Sequence, residues 1–343
     1  MATDSDAARR TSARSPKALA VVALLGGALL AALLATPSAG TVPGLASPDP
    51  AVRLGLPVAR VLLDVAALAT AGLSLLPRLL TGARPSRTGP VLLAARRTAA
   101  GTALAWMLFA LLSLVLQAAE LSPGRPVSAE LIADYVGTVP AGAGLLASAI
   151  AGLLCAGLAL AAVHRPTWVS ADLALVVALL GHLPIPLTGH ATDARLHQLG
   201  TLAVELHVLG AAVWTGGLLA VVLFVAPRRG LLAEAMPRFS RIATAALLVV
   251  GASGLVNALL ELLAVPGAGL TGLVTTGYGR IALVKVGCLL VLAAIAARLR
   301  FRLLPRIARH RPTALVGWAT AEIAVMGVAY GLGSVLARSP VVL

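Results

Sequence analysis

Four histidines lie close together in this sequence, in two neighbouring apolar segments. His182 and His190 belong to the first segment, and His197 and His207 belong to the second. Burying an imidazole in hydrocarbon has a desolvation cost, so histidines within membrane segments mark a candidate functional site. Neutral imidazole nitrogens bind copper well and also serve as axial ligands of haem iron. The four residues therefore predict metal or haem chemistry within a membrane.

The spacing of these histidines predicts an outer pair and an inner pair. His182 lies eight residues before His190, and His207 lies ten residues after His197. With a short turn between antiparallel helices, the inner pair falls roughly 12 and 15 Å deeper, near the middle of a hydrocarbon layer about 30 Å thick. Such a ladder of imidazoles could pass a metal ion inward. Each histidine could instead be an ordinary polar residue that hydrogen-bonds a neighbouring helix.

Other polar or soft side chains fall in predicted membrane spans and could form an ion relay. Glu205, Glu322 and Lys285 are costly in lipid unless they are paired or solvated. Lys285 could form a structural pair with Glu261, which is also predicted in the outer half of its span. Met326 follows Glu322 by four residues on the same helix face, and its thioether either binds Cu(I) or fills the core.

Two further patterns concern helix contacts. Arg60 and Asp64 are spaced i, i+4, which predicts an ion pair on one helix face. Trp214 is followed by Gly216 and Gly217, and the glycines allow a close helix approach. Trp214 lies too deep for an interfacial aromatic residue, so we expect it to pack near the histidine site.

The composition identifies the class of protein. Hydrophobic residues make up 59% of the chain and charged residues 12%, and the apolar residues form runs of about 20, long enough to cross a bilayer as helices. Membrane β-strands would instead alternate apolar and polar residues, which these runs do not. The sequence therefore predicts an all-α, polytopic integral membrane helical bundle.

Hydropathy predicts about nine transmembrane helices. A basic cytoplasmic tail at 1–17 precedes a four-span region at 18–163, and a five-span region follows at 169–336. No soluble insert is long enough to fold by itself, so the spans form one continuous bundle, and the longest loops, 36–56 and 119–140, are expected to be surface connections. The expected spans are 18–35, 57–76, 98–118, 141–163, 169–187, 198–226, 242–264, 281–297 and 314–336.

The basic residues predict the topology. Most of the 27 Lys and Arg residues fall in alternate connecting segments, beginning with the N-terminal tail. Because cytoplasmic loops are rich in Lys and Arg, the N-terminus is predicted inside and the C-terminus outside. The net charge of +14 is spread over several loops with few aromatic residues beside them. This distribution fits anionic membrane lipids as partners and argues against nucleic acid.

The sequence contains no motif for ATP-driven transport. It has neither a phosphate-binding GxxxxGK[ST] loop nor a phosphorylatable Asp followed by Lys-Thr in a cytosolic domain. We therefore expect a protein that is not an enzyme. Transport through it would run down a gradient or be coupled to protons.

The order of the motifs resembles the copper resistance protein D (CopD) family, of the actinobacterial type without a fused CtaG-type domain. The resemblance is strong over residues 169–336 and depends mainly on hydropathy in the first four spans. The residues that carry it are Thr188-Gly189-His190, His197, His207, Trp214-Thr215-Gly216-Gly217-Leu218, Arg238-Phe239-Ser240, Ser253-Gly254-Leu255-Val256-Asn257, Thr276-Gly277-Tyr278-Gly279-Arg280, Lys285, Pro305 and Glu322.

This resemblance implies copper handling at the plasma (inner) membrane, with a periplasmic or extracytoplasmic CopC-type copper-binding protein as a possible partner. His190, His197 and His207 are the implied copper contacts, and His182 is added because of its depth. The main hypothesis is copper uptake or transport through a His-lined site between the fifth and sixth helices. The alternatives are a haem-binding membrane electron carrier and a copper-delivery assembly factor for cytochrome oxidase.

Overall fold

A computed structural model describes residues 16–36, 49–187, 197–264, 271–309 and 314–337 of the 343-residue chain. Within these ranges every regular element is helical, and none is a strand. Eight of the helices are long and apolar enough to cross a membrane. The prediction of an all-α, polytopic membrane bundle is therefore confirmed.

Thirteen helices make up the described part of the chain. α8 and α11 each continue into a π-helical turn, at Val221–Val225 and Leu299–Leu303. The helices are α1 (Pro16–Ala35), α2 (Pro50–Leu79), α3 (Pro85–Leu121), α4 (Ala129–Thr138), α5 (Pro140–His164), α6 (Ala171–Leu180), α7 (Pro184–Leu187), α8 (His197–Ala220), α9 (Arg229–Ala264), α10 (Gly272–Thr275), α11 (Gly277–Arg298), α12 (Leu304–Ala308) and α13 (Leu315–Leu336).

The fifth predicted span is interrupted near its prolines. Residues 169–187 do not form one long helix, because α6 ends at Leu180 and the four-residue α7 begins only at Pro184. Proline has no backbone N–H and clashes with the preceding turn, so Pro184 and Pro186 interrupt the helical hydrogen bonds. Both prolines are visible in the sequence, and the break lies beside them, inside the expected span 169–187.

The predicted surface loop at 119–140 also contains a helix, α4. Its first turn is capped by Ser128, whose hydroxyl oxygen accepts a hydrogen bond from the Leu131 N–H at 3.2 Å. Leu131 and Tyr135 are buried, and the Tyr135 hydroxyl donates to the side-chain oxygen of Gln117 at 2.8 Å. The apolar side of α4 therefore covers this end of α3 and α5.

α2 occupies the centre of the bundle and packs against α1, α3, α6, α8 and α13. Its tightest crossing is with α8, where Gly72 faces Gly216. A Cβ atom added at Gly72 would overlap the Gly216 backbone, and one added at Gly216 would overlap the Leu68 carbonyl. This crossing requires glycine on both helices, and it joins the two predicted regions, 18–163 and 169–336, through one shared core.

α1 and α13, the first and last helices, run in the same direction. Leu24 contacts Gly327, and one turn later Ala28 contacts Gly331. Parallel helices need an odd number of membrane crossings between them, but the long helices that separate them number six. The α6–α7 segment, 17 residues long from 171 to 187, must therefore supply the remaining crossing. The described residues then make nine crossings, while the inside and outside faces of the bundle stay a prediction.

Candidate metal site and its polar surroundings

His207 lies on α8 with its ring against α9. Its Nδ1 atom is 3.1 Å from the Val250 carbonyl oxygen and 3.3 Å from the Ser253 hydroxyl. A carbonyl can only accept a hydrogen bond, so Nδ1 carries the proton and Nε2 keeps its lone pair. The hydrogen bond at Nδ1 orients the imidazole and leaves Nε2 able to bind a metal ion.

Gly254 provides the space that the His207 ring occupies. A Cβ atom at this position would lie 3.2 Å from Cε1 and 3.3 Å from Nδ1 of His207. Such contacts are tighter than ordinary van der Waals packing, so a side chain here would displace the ring. Ser253 and Gly254 therefore position His207 from the neighbouring helix.

His182 lies where α6 ends, immediately before the break at Pro184. Its Nδ1 donates to the Ala178 carbonyl oxygen at 2.7 Å, and its ring centroid lies 5.2 Å from that of Trp106. Nε2 is buried and has no hydrogen-bond partner in the described ranges. By its chemistry this nitrogen is a further possible ligand.

The described contacts of the two inner histidines lie on different helices. His182 bonds within its own helix and packs on α3, whereas His207 bonds to α9. His190 lies outside the described residues, and of His197 only the backbone, the first residue of α8, is described. Among the described residues, no three His, Cys, Asp or Glu side chains are grouped closely enough to hold a metal ion. The four-histidine site therefore stays a prediction.

A buried hydrogen bond links α8 to α13, between two residues that follow the four histidines in the sequence. The Trp214 indole Nε1 donates to Oε1 of Glu322 at 2.9 Å, and the two residues are 3% and 2% exposed. The other oxygen, Oε2, is buried and has no hydrogen-bond partner in the ranges described. The Glu322 carboxyl group thus has one paired and one unpaired oxygen in the interior.

A second group of polar side chains surrounds Asp64 on α2. As predicted, Arg60 and Asp64 form an ion pair, with Nε 3.1 Å from Oδ1. The Asp64 charge also acts on the His182 ring and on the Tyr330 hydroxyl. Tyr330 is hydrogen-bonded in turn to the Thr215 side chain, next to Trp214. Asp64 on α2 therefore interacts electrostatically with His182, just after α6, and with Tyr330 on α13.

The expected pair between Lys285 and Glu261 does not form, since the structure shows no ion pair between these two described side chains. The reason is the packing of α11, which lies mainly against α13. The Lys285 Nζ atom lies 3.4 Å from the place where a Cβ atom of Gly333 would be. Its charge acts instead on the His207 ring and on Cys288.

The two remaining predicted residues differ in their surroundings. Glu205 is half-buried on α8, two residues from His207 and therefore on a different face of the helix. Met326 is only 2% exposed and belongs to the main hydrophobic core.

The Trp214–Glu322 pairing is absent from the sequence-based picture, in which Trp214 only packs near the site. A signal for it was present. A buried indole N–H needs an acceptor, and Glu322 was an acidic residue without an assigned partner at membrane depth. What the sequence lacked was the information that α8 and α13 are neighbours.

Comparisons with known proteins place most of the chain in one family. Residues 233–336 match the family model described as Copper resistance protein D. Residues 47–199 match the one described as Copper resistance protein D-like, N-terminal domain. No solved structure matches this chain.

Two curated relatives share part of the sequence. One is the Copper transport protein CutJ of Bacillus subtilis (strain 168), 35% identical over 116 residues, which cover 32% of this chain and 20% of the relative. The other is the Inner membrane protein YebZ of Escherichia coli (strain K12), 34% identical over 128 residues, which cover 35% of this chain and 41% of the relative. The chain thus spans less than half the length of either relative that it matches.

Proposed function

Because the chain belongs to the copper resistance protein D family, we propose that it transports copper across the plasma membrane, in the direction of uptake. The names of its two relatives, a copper transport protein and an inner membrane protein, support copper as the ion and the inner membrane as the location. The eight long apolar helices support a multi-pass protein. Copper is the transported ion in this proposal.

The observation that carries the proposal is the orientation of His207. Its Nδ1 proton is held by the Val250 carbonyl, so the lone pair of Nε2 is available within the membrane region. Neutral imidazole binds copper without bringing a negative charge into lipid. Gly254 leaves the room that the ring occupies in this orientation.

His190 and His197 are proposed as the outer contacts that deliver the ion to His207. His197 begins α8, ten residues before His207, which corresponds to roughly 15 Å along the helix. His182, whose Nε2 has no hydrogen-bond partner among the described residues, is a further proposed ligand on the preceding crossing. Met326 and Glu205 remain secondary candidates on α13 and α8.

Lys285 gives the proposed site a means of releasing its ion. A positive charge acting on the His207 ring repels a bound cation and so weakens its binding. Conduction requires an ion to bind well enough to enter a site but weakly enough to leave it. We propose that Lys285 keeps copper binding at His207 transient.

Glu322 is proposed as the proton-binding group of the relay. Its Oε1 accepts from Trp214, while Oε2 is buried without a hydrogen-bond partner among the described residues. A lone carboxylate in the membrane interior is costly, and taking up a proton removes its charge. Proton uptake and release at Oε2 would compensate for the movement of a copper cation.

Copper uptake into proteoliposomes tests the proposal. We expect the intact protein to accumulate Cu(I), and His207→Ala to abolish most of this uptake while leaving the thermal stability in detergent nearly unchanged. His164→Ala is the matched control, because His164 is exposed at the end of α5 and should not affect uptake.

The same samples distinguish the alternative functions. If the purified protein binds copper but never accumulates it in vesicles, transport is ruled out and copper delivery is favoured. An absorption band of haem that disappears in His207→Ala would favour the electron carrier and contradict the copper proposal. Equal uptake by His207→Ala and the intact protein would remove His207 from the pathway.

A further inference from the structure

A groove opens on the surface of the bundle between the end of α11 and the beginning of α13. Its volume is about 540 Å³. One part of its lining is apolar and comes from α11, and the other part carries two arginines. The lining residues are Val291, Ala294, Ile295, Ala297, Arg298, Phe301, Arg302 and Trp318.

The polar end of the groove is strongly basic. Arg298 lies over the Trp318 ring, with its guanidinium carbon 4.5 Å from the ring centroid. Neither Arg298 nor Arg302 forms an ion pair within the described ranges, and both are exposed. Between 298 and 309 the sequence has five arginines and no Asp or Glu. A phosphate group is therefore the complementary ligand at this end.

The apolar end of the groove runs along the part of α11 that faces away from the core. Val291 is 49% exposed, and Phe301, at the junction with the basic end, is 72% exposed. In a membrane protein such a surface contacts acyl chains. An arginine pair at the end of a span, beside an apolar groove, lies where a lipid has its headgroup and the beginning of its chains.

We propose that this groove binds one anionic phospholipid. The headgroup phosphate contacts Arg298 and Arg302, and one acyl chain lies along Val291, Ala294 and Ile295. The Trp318 ring packs against the Arg298 guanidinium group, and this cation–π contact holds the group in place for the phosphate. A lipid in this position bridges α11 and α13. The proposal does not depend on copper, so it can fail or succeed independently of the proposed function.

Lipid binding to the purified, delipidated protein tests this site. Native mass spectrometry would measure retention of phosphatidylglycerol and phosphatidylcholine by the intact protein and by Arg298→Gln/Arg302→Gln. We expect the intact protein to prefer phosphatidylglycerol, and the double variant to bind it about tenfold or more weakly, since each basic residue near a lipid surface contributes to the attraction. Inorganic phosphate alone should not compete, because it has no acyl chain.

Arg306→Gln/Arg309→Gln is the matched control, since it removes the same charge from exposed positions outside the groove. It should leave phosphatidylglycerol binding unchanged, and an equal loss in this control would overturn the proposal in favour of a diffuse surface charge. Ala294→Trp fills the apolar end without changing the charge and should also weaken binding. Equal retention of both lipids by the intact protein, or full competition by inorganic phosphate, would also overturn it.

Discussion

The indole Nε1 of Trp214 donates a hydrogen bond of 2.9 Å to Oε1 of Glu322, and this bond joins α8 to α13 in the interior of the bundle. The two helices are far apart in the sequence, and Trp214 and Glu322 are both almost fully buried. A buried polar group without a partner is costly, so the bond gives the Trp214 N–H its acceptor and one Glu322 oxygen its donor. The other Glu322 oxygen, which has no partner among the described residues, lies in the same interior region.

Trp214→Phe should destabilise the protein by about 1–3 kcal/mol, because it leaves Oε1 of Glu322 buried without a donor. Thermal unfolding in detergent measures the change. Replacing both partners, as in Trp214→Phe/Glu322→Leu, should recover part of the loss, since no buried polar group then remains. Trp318→Phe, at a half-buried position on α13, is the control. If it lowers the stability as much as Trp214→Phe does, the buried hydrogen bond is not the cause.

Gly216→Ala should destabilise the crossing of α2 and α8 by about 1–3 kcal/mol or more, because the new methyl group overlaps the Leu68 carbonyl. Gly157→Ala is the control in α5, where an added Cβ atom meets no atom within 4 Å. Alanine favours a helix over glycine, so the control should be neutral or slightly stabilising. The same thermal unfolding assay compares the two variants, and a stable Gly216→Ala protein would contradict this packing.

Gly254→Ala should reduce copper uptake severalfold while the protein remains folded. The added methyl group would lie 3.2 Å from Cε1 of His207 and would turn the ring away from Val250. Gly251→Ala is the control one turn earlier, since its methyl group would make an ordinary 3.5 Å contact with Leu289. Vesicle uptake measures both. Equal rates in the two variants would show that the ring orientation does not matter for transport.

Lys285→Met should increase the copper affinity of the purified protein by roughly threefold to tenfold, because it removes a positive charge that acts on the His207 ring. Equilibrium competition with a copper chelator measures the affinity. Lys285→Arg keeps the charge and should bind copper as the intact protein does. A weaker affinity in Lys285→Met would indicate that Lys285 supports the site in another way.

Glu322→Gln should make copper uptake insensitive to a proton gradient across the vesicle membrane. The amide oxygen can still accept the hydrogen bond from Trp214, but an amide does not take up a proton at physiological pH. Uptake by the intact protein should change when the gradient is collapsed with an ionophore, whereas uptake by Glu322→Gln should stay at one rate. A variant that responds to the gradient as the intact protein does would exclude Glu322 as the proton-binding group.

The sequence predicted the local features of this protein well, and it failed where distant segments meet. The Arg60–Asp64 pair followed from its i, i+4 spacing and is present. Similar depth alone predicts a Lys285–Glu261 pair, and this prediction is wrong because α11 packs mainly on α13. Depth gives the height of a side chain in the membrane but not the direction in which it points.

The fifth crossing is interrupted beside its prolines, as their chemistry predicts, but the sequence does not show which helices this crossing contacts. Pro184 and Pro186 were visible as breaks in the helical hydrogen bonding, but a hydropathy window averages over them. The parallel packing of α1 and α13 is what shows that this short segment still crosses. A histidine ladder requires the inner histidines of adjacent crossings to face each other, whereas the described contacts of His182 and His207 go to different helices.

The sequence by itself determined the class of this protein, a bundle of apolar helices, and the family to which it belongs. The length of the apolar runs and the order of the motifs are properties of the chain itself, and they do not depend on which helices pack together. Only the tertiary structure decided that Gly72 meets Gly216, that Trp214 bonds Glu322 and that Val250 orients His207. These contacts depend on how each helix is rotated about its axis, which is set by the packing of the whole bundle and not by any single segment.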